Sequence, residues 1–249
     1  RLGVMEPNIS PWRRAVCGDL TTCFDFRAPN RGKPPTLPAT RETAARARAM
    51  LKTTRPPTPA TLIAPVQAPG VRPSRALPYV LEANLTLDAG VAHVRFTNRG
   101  DAGAVFHVYD LKDLSGPPRR YTVGALDDLG ATIPFSGEAC DLWVLGPSGF
   151  HRHFRGGARP QVSLTVAGDG DALAVSLRNE DAAPLDAEVA ANAYGSRVQR
   201  LRLAPGEARA VMWPVKGVRG WHDVSVTLPA HPGWLRRYAG RLETGRDGI

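Results

Sequence analysis

Two stretches of this sequence share one pattern: residues 149–156 are GFHRHFRG, and residues 233–240 are GWLRRYAG. In both, a glycine and an aromatic residue are followed, at alternate positions, by arginine and a second aromatic residue, and a glycine closes the stretch. The copies begin 84 residues apart, at Gly149 and Gly233. An internal repeat of this period predicts two copies of one structural unit. A duplicated unit late in a chain is typical of an accessory to the part that precedes it.

The repeat extends upstream of these two stretches. Three further pairs of segments match in the same order: residues 85–87 with 164–166, residues 96–98 with 177–179, and residues 141–145 with 223–227. The spacing within the pairs grows from 79 to 81 and 82 residues, as expected when loops differ in length and strands do not. The matches predict two units, repeat 1 at residues 77–157 and repeat 2 at residues 158–245.

Both repeats have the hydrophobic pattern of antiparallel β-sheets. Apolar and polar residues alternate within residues 91–96, 172–177 and 223–228, as in strands with one buried face. For repeat 2 the pattern predicts strands at residues 161–167, 172–178, 185–193, 197–203, 207–213, 221–228 and 233–240. Seven short strands in a unit of this length indicate an immunoglobulin-like β-sandwich. The expected fold is therefore mainly β, with two tandem seven-stranded sandwiches.

The glycine–aromatic stretch is the predicted last strand of each repeat. Alternation places three side chains of each strand on one face. They are Phe150, Arg152 and Phe154 in repeat 1, and Trp234, Arg236 and Tyr238 in repeat 2. One interpretation is a pair of core aromatic rings with the arginine stem between them. The other is an exposed stripe that contacts lipid headgroups, glycans or the neighbouring domain.

The positive charge of the chain is concentrated in residues 31–76. The formal net charge is +9, and this segment has nine Lys and Arg residues against one acidic residue, Glu42. Its nine prolines favour extended chain, although residues 40–52 predict a short helix that begins at Thr40. This basic linker fits either a solvated spacer or a contact with an anionic surface, lipid or nucleic acid. Because it lacks aromatic residues for base stacking, nucleic acid is not an expected partner.

Known catalytic motifs are absent from the sequence: it has no Gly-x-Ser-x-Gly elbow, phosphate-binding glycine loop or dinucleotide fingerprint. His151 and His153 lie on one face of a predicted strand and could chelate zinc, but no acidic or Cys partner is near them in sequence, so we expect exposed histidines. Asp127 and Asp128 predict a turn rather than an acid/base pair. The sequence therefore predicts no catalytic, cofactor-binding or metal-binding residues, and a chain that is not itself catalytic.

Cysteine content and hydropathy exclude two further classes of protein. Cys17, Cys23 and Cys140 are an odd number of cysteines without metal-ligand spacing, so no disulfide framework is predicted. Cys17 and Cys23 could pair, or the thiols could be buried and free. No run of 18 apolar residues occurs, so no membrane-spanning helix is predicted.

Two further parts of the sequence carry a resemblance to a known family. Residues 5–20 are MEPNISPWRRAVCGDL, followed by FDF at residues 24–26, and they resemble the end of the catalytic domain of bacterial phosphocholine-specific phospholipases C. Residues 75–79, RALPY, and the two glycine–aromatic strands resemble the tandem C-terminal domain of the same family. The linker follows no pattern of that family.

The resemblance implies an exported bacterial phosphoesterase related to the acid and alkaline phosphatase folds. Such enzymes cleave phosphatidylcholine, and in some members sphingomyelin, and release phosphocholine. Their catalytic residues and any metal ligands lie in the N-terminal body, so none is transferred to this chain. The implied order is a strip of an α/β phosphatase-like catalytic domain at residues 1–30, the linker at 31–76, and the two repeats.

Two functions follow. The first is the C-terminal accessory region of a phospholipase C that is secreted or periplasmic, with the catalytic domain of the same protein and the phospholipid membrane surface as partners. The second is a stand-alone, non-catalytic β-sandwich module that binds lipid surface, glycan or a partner protein. An open reading frame upstream of Arg1 that encodes a phosphatase-like core would distinguish the first from the second.

Overall fold

The structure is a computed structural model of the chain. It describes residues 74–88, 90–169 and 171–247, together with 6–11, 13, 24, 26, 27, 31–37, 39–50, 58, 60, 61, 70 and 71. The chain divides into two compact units, Leu20–Pro69 and a larger unit of Arg1–Asp19 and Gly70–Ile249. Both repeats belong to the larger unit. Most of residues 1–30, with Cys17 and Cys23, lie outside the described residues.

The predicted helix is present in the smaller unit. Helix α1, Thr40–Met50, begins at the predicted residue, and the last two residues of the prediction lie outside the described residues. Glu42 in its first turn and Arg48 in its last turn have the signs that the helix dipole favours. None of its residues is buried. Within the described parts of the chain, no helix is long and apolar enough to cross a membrane.

Repeat 1 contributes seven strands, and the glycine–aromatic stretch forms the last. They are β1 (Leu81–Asp88), β2 (Val91–Asn98), β3 (Ala104–Asp110), β4 (Arg119–Val123), β5 (Asp127–Pro134), β6 (Ala139–Leu145) and β7 (His151–Gly157). The predicted turn at Asp127 and Asp128 is wrong. The chain turns earlier, at Leu126 with φ 55°, and both aspartates already pair with β2.

Repeat 2 contributes strands close to the predicted positions. They are β8 (Val162–Asp169), β9 (Ala172–Asn179), β10 (Leu185–Ala193), β11 (Val198–Leu203), β12 (Ala208–Pro214), β13 (Trp221–Thr227) and β14 (Leu235–Arg241). Strand β14 begins two residues after the predicted Gly233, because the Trp234 N–H closes the preceding turn on the His231 carbonyl at 2.9 Å.

All strand pairs in the described part of the chain are antiparallel, which confirms the mainly β prediction. Three strands of each repeat form a sheet of their own, with the orders β1-β2-β5 and β12-β9-β8. The other four strands of each repeat join in one sheet with the order β11-β10-β13-β14-β7-β6-β3-β4. Strands β7 and β14 lie at its centre, so the repeats meet through their last strands. Strands β1 and β8 also contact each other, and the Val166 N–H donates to Asn84 Oδ1 at 3.3 Å.

One hydrophobic core runs through both repeats. Its largest fully buried side chains are Tyr238, Phe96, Phe106, Phe154, Ile133, Leu142, Leu177, Leu203 and Leu228. Burial of each side chain of this size stabilises the fold by about 1.5–3 kcal/mol. Since these residues come from both repeats, the core supports the repeats jointly.

A fully buried asparagine ends the second strand of each repeat. Asn98 Nδ2 donates to the carbonyls of Ala102 at 2.7 Å and Gly124 at 2.8 Å. Asn179 Nδ2 donates to the carbonyls of Ala183 at 2.8 Å and Leu203 at 3.1 Å. In both cases Oδ1 accepts a backbone N–H two residues ahead, at 3.0 Å. The matched segments of the sequence thus form matched hydrogen bonds.

The prediction of a half-buried strand is wrong for β13. Its residues Val224 and Val226 face the core as expected, but Asp223 and Ser225 on the opposite face are each only 8% exposed. The strand lies between β10 and β14, and Asn192 of β10 donates to both side chains at 2.8 Å. Neighbouring polar side chains therefore cover a face that its sequence alone assigns to solvent.

Candidate functional site

The two glycine–aromatic strands pair with each other. Strands β7 and β14 are antiparallel, and the register sets Arg152 opposite Tyr238 and Phe154 opposite Arg236. Each arginine therefore faces the second aromatic residue of the other copy. Exchange of the two strands leaves this arrangement unchanged, so the junction has approximate two-fold symmetry.

All six side chains singled out from the sequence are buried at this junction. Their exposed fractions are 8% for Phe150, 5% for Arg152, 0% for Phe154, 4% for Trp234, 6% for Arg236 and 1% for Tyr238. Burial is what the core-packing interpretation predicts, and it leaves no exposed stripe. The Phe154 and Tyr238 rings meet edge to face across the junction, with centroids 6.0 Å apart.

The two arginines make equivalent contacts. Arg152 Nη1 donates to the carbonyls of His151 at 2.9 Å and Ala239 at 3.0 Å. Arg236 Nη1 donates to the carbonyls of Leu235 at 2.9 Å and Arg155 at 2.6 Å. Each guanidinium thus bonds the backbone of its own strand and of the other repeat.

Aromatic rings cover the guanidinium groups. The Arg152 guanidinium lies 3.9 Å from the centroid of the Phe150 ring and 5.1 Å from that of Tyr238. The Arg236 guanidinium lies 4.4 Å from the centroid of the Trp234 ring. Such cation–π contacts stabilise a desolvated cation by about 2 kcal/mol. They partly offset the cost of burying each charge, since neither arginine forms an ion pair among the described residues.

The glycine that closes each motif lies against the start of the other motif. Gly156 has φ +119°, and a Cβ there would lie 3.1 Å from the Trp234 Cα. Gly240 has φ +145°, and a Cβ there would lie 3.4 Å from the Phe150 Cα. Both values favour glycine over any residue with a side chain. The last glycine of the pattern is therefore required by the pairing of the two copies.

Burial determines the protonation of the junction. It lowers the pKa of Arg152 to about 10 and raises that of Tyr238 to about 12, so at neutral pH the arginine is charged and the phenol is neutral. Burial also raises the pKa of the Cys140 thiol, which lies on β6 opposite Gly156 of β7. A protonated, buried thiol is a poor nucleophile. These groups can hold two strands together, and their ionisation states do not suit acid–base or nucleophilic chemistry.

The opposite face of β7 is polar and half-buried. His153 Nε2 lies 2.6 Å from Asp141 Oδ1, and the two side chains are 14% and 24% exposed. The Trp143 ring meets His151 and His153 edge-on, with centroids 5.5 Å and 6.0 Å away. The prediction of exposed histidines without an acidic partner is wrong, because β6 pairs with β7 and places its side chains beside both rings.

Repeat 2 has an acid–cation pair at the same positions. Arg237, which corresponds to His153, donates from Nε to Asp223 Oδ1 at 2.7 Å, and this contact raises the pKa of the guanidinium. Burial alone would raise the pKa of Asp223, but the hydrogen bonds from Arg237 and Asn192 lower it below its ordinary value. Both carboxylates belong to the segments that match between the repeats, at Asp141 and Asp223. That match was the available signal for the two pairs.

The titration of His151 follows from its burial and from the charged groups near it. Burial, and then the charge on Arg237, lower its pKa to about 4. The ring is therefore neutral at pH 7. Across the described residues, no group of three or more His, Cys, Asp or Glu side chains could hold a metal ion.

The Asp127–Asp128 pair contributes an ion pair within the sheet. Asp128 Oδ2 lies 2.7 Å from Arg95 Nη2 on the neighbouring strand.

Comparison with known proteins identifies a family that matches both repeats. Residues 73–157 and 160–241 both match the family described as bacterial phospholipase C, C-terminal domain. The two matches correspond to the two repeats that meet at β7 and β14.

Named phospholipases C are similar over the whole chain. The chain is 41% identical to the non-hemolytic phospholipase C of Pseudomonas aeruginosa, a match that covers 100% of this chain and 38% of that protein. It is 38% identical to the non-hemolytic phospholipase C of Burkholderia pseudomallei, covering 99% of this chain and 37% of that protein. It is 36% identical to the hemolytic phospholipase C of P. aeruginosa, a match that covers 99% of this chain and 39% of that protein. The chain thus spans less than two fifths of the length of these relatives.

Proposed function

Because the chain belongs to the family of bacterial phospholipase C C-terminal domains, we propose that it is the non-catalytic accessory region of a phospholipase C. The enzyme would hydrolyse phosphatidylcholine or sphingomyelin and release phosphocholine, with its catalytic residues in a domain that precedes this chain. The observation that carries the proposal is the similarity of the whole chain to less than two fifths of each named phospholipase.

The geometry of the junction supports an accessory role. The polar groups of the paired strands form their contacts within the chain. Arg152 and Arg236 donate to backbone carbonyls, and Arg237 donates to Asp223. The arginine–carbonyl contacts cross between the repeats, and together with the continuous sheet they hold the two repeats as one body. A rigid accessory body can orient a catalytic domain relative to a surface or a partner.

The proposed organisation follows the expectation from the sequence. Residues 1–30 would be the last strip of the phosphoesterase domain, residues 31–76 a basic linker, and residues 77–157 and 158–245 two immunoglobulin-like β-sandwiches. What supports the sandwiches is that each repeat has a three-stranded sheet and four strands of the shared sheet. The protein would act outside the cytoplasm, secreted or periplasmic, where phospholipid surfaces are accessible.

The catalytic domain is the proposed partner, and the face around Trp143 is the proposed contact. Trp143 is 39% exposed, although two histidine rings hold it in place on an ordered sheet. Exposed, rigid aromatic side chains are enriched where proteins bind each other. In the product of the complete reading frame, Trp143→Ala should therefore speed proteolysis between the catalytic domain and the repeats, without a change in the circular dichroism of the isolated chain. An unchanged cleavage rate would place the contact elsewhere.

The activity assay tests the proposal directly. The purified chain, incubated with phosphatidylcholine or sphingomyelin vesicles, should release no phosphocholine above a buffer blank, whereas the product of the complete reading frame should release it. Sustained turnover by the chain alone, after contaminating enzyme is removed, would contradict the assignment of chemistry to the preceding domain.

The second candidate is a stand-alone module that binds a lipid surface, a glycan or a partner protein. The same exposed Trp143 favours it, because an aromatic ring on a sheet can also stack on a sugar or enter a headgroup layer. A reading frame with no phosphatase-like core, together with vesicle or glycan binding that Trp143→Ala abolishes, would favour this function over the first.

A further inference from the structure

A cavity lies where the two repeats meet beside the junction. Its walls are Leu81, Phe150 and Arg152 of repeat 1 and Val166, Leu173 and His222 of repeat 2, among others. It has about 50 Å³ of space for the centres of water-sized molecules. Since a water needs roughly 10–15 Å³ of such space, the cavity holds a molecule of about four non-hydrogen atoms.

Two buried polar atoms without hydrogen-bond partners among the described residues belong to this cavity's lining side chains. They are Arg152 Nε and His222 Nε2. Arg152 is 5% exposed and His222 is 5% exposed. A buried polar group left unpaired is costly. The two atoms therefore indicate a bound group that satisfies them.

The hydrogen-bonding roles of the two atoms are opposite. His222 Nδ1 lies 3.2 Å from the Gly220 carbonyl oxygen, so the proton of the neutral ring is on Nδ1 and Nε2 is an acceptor. Burial, and then the charge of Arg152, lower the pKa of His222 to about 4, which keeps the ring neutral at pH 7. Arg152 Nε carries a hydrogen and can only donate. The pair calls for one group that both accepts and donates.

The charges around the cavity favour a neutral ligand. Arg241 and Glu243, which also line it, are bonded to each other at 2.7 Å. The remaining charges of the lining are the Arg152 guanidinium and the Glu82 carboxylate, which are opposite in sign, and Glu82 also lies 3.8 Å from Arg99 Nη2. A carboxylate ligand would face both Glu82 and the acceptor nitrogen of His222, and an ammonium would face Arg152.

We propose that this cavity binds a small alcohol, a molecule with one hydroxyl group on a short hydrocarbon tail. The hydroxyl oxygen accepts from Arg152 Nε, its hydrogen is donated to His222 Nε2, and the carbon chain contacts Leu81, Phe150 and Leu173. A carboxylate cannot donate to His222, and a polyol would leave hydroxyls unpaired against the apolar wall. Because the ligand touches both repeats, its binding stabilises the joined form.

The junction's symmetry provides an internal comparison. In repeat 1 the residue that corresponds to His222 is Cys140, and it lies near Arg236 as His222 lies near Arg152. Cys140 Sγ donates to the carbonyls of Gly156 at 3.5 Å and Phe154 at 3.8 Å. Its hydrogen-bonding capacity is used within the protein. The site is therefore specific to the side of the junction that has His222.

The experiment is a ligand titration of the ¹⁵N-labelled chain, observed at the imidazole nitrogens of His222 by NMR. We expect 1-propanol to shift the Nε2 signal in a saturable manner. Acetate and ethane-1,2-diol have the same number of non-hydrogen atoms, and they should bind at least about tenfold more weakly. The hydrogen bond from an alcohol is the source of the shift, so the Nδ1 signal should change less. An acetate response equal to that of 1-propanol, or an Nε2 signal that stays that of a water-bonded nitrogen at every concentration, would overturn the proposal.

Three variants separate binding from folding. His222→Phe keeps a ring but removes the acceptor, and should weaken 1-propanol binding at least about tenfold, as followed by backbone amide shifts of residues that line the cavity. The same substitution at His93, an exposed residue of β2, is the matched control and should leave binding unchanged. Glu82→Gln should improve acetate binding and leave 1-propanol binding unchanged. If His222→Phe does not fold, Glu82→Gln decides: no gain for acetate would contradict the charge argument and the proposed site.

Discussion

The two repeats are alike at their junction and different beside it. Both provide the glycine, the aromatic pair and the arginine of the joined strands, and both make the same backbone contacts through Arg152 and Arg236. Next to the junction, repeat 1 has Trp143 where repeat 2 has Ser225. Both copies of the motif must keep the joining residues, because each half of the junction is completed by the other. The flanking positions do not join the copies, so the two repeats can differ there and acquire separate roles.

The largest expected effect comes from the first aromatic residue of each motif. Trp234→Ala should cost about 3–5 kcal/mol of unfolding free energy, as large core truncations do, because Trp234 is 4% exposed. Phe150→Ala should have a cost in the same range, and the exposed Trp143→Ala, as the control, about 1 kcal/mol or less. Urea unfolding measures all three. A large cost at Trp234 with none at Phe150 would break the equivalence of the two motifs.

The buried asparagines extend the comparison away from the junction. Asn98→Ala and Asn179→Ala should each cost about 1–3 kcal/mol, since each leaves two carbonyls and an N–H without their partner. Chemical denaturation gives both values. Similar losses of unfolding free energy would show that the matched loops depend equally on the asparagine side chain. A loss at one site alone would mean that the two repeats are equivalent only at the joined strands.

The last glycine of each motif tests whether the pairing of β7 with β14 requires the motif. Gly156→Ala and Gly240→Ala should each cost about 1–2 kcal/mol, because alanine is strained at positive φ. Gly130→Ala is the control: it lies in β5, its φ is not positive, and a Cβ there meets nothing within 4 Å. Thermal unfolding of the three variants should rank Gly130→Ala as the most stable. Equal stabilities would mean that the last glycine of the motif has another origin.

Acid should test the buried His222 of repeat 2, because repeat 1 has Cys140 at the matching position. The pKa of His222 is about 4 in the fold and about 6.5 when unfolded. Between these values only the unfolded chain binds the proton, so stability present above pH 6.5 is lost as the pH falls towards 4. The slope is about 1.4 kcal/mol per pH unit for each such histidine. His222→Cys, which copies repeat 1, should reduce the slope measured by urea unfolding between pH 6.5 and 4.5. His151, whose pKa is also about 4, contributes to the same slope, and an unaltered slope would contradict the buried neutral state of His222.

The strands could be predicted from the sequence because alternation is a local property. The bounds of β10 in repeat 2 and the identity of the last strands followed from it. The pairing of β7 with β14 could not be predicted, since a strand's partner depends on tertiary packing. For the same reason the motif fitted both a core and an exposed stripe.

The errors on the polar face have one physical cause. Sequence distance hid the contact between Asp141 and His153, which lie twelve residues apart but on neighbouring strands. Alternation assigned Asp223 and Ser225 to solvent, although a central strand can be covered by polar neighbours on its outer face. The internal repeat contained a usable signal, since it aligned Asp141 with Asp223 and His153 with Arg237. It could not reveal the unpaired atoms of the cavity, which require atomic positions.

Differential scanning calorimetry of the whole chain tests most directly whether the paired strands make the two repeats one body. The repeats should unfold in a single transition whose van't Hoff enthalpy equals the calorimetric enthalpy. A double variant, Arg152→Leu with Arg236→Leu, should lower the transition temperature and split or broaden the transition, because it removes the guanidinium hydrogen bonds to the Ala239 and Arg155 carbonyls across the junction. Two separate transitions in the unmodified chain, each with the enthalpy of one repeat, would contradict the account.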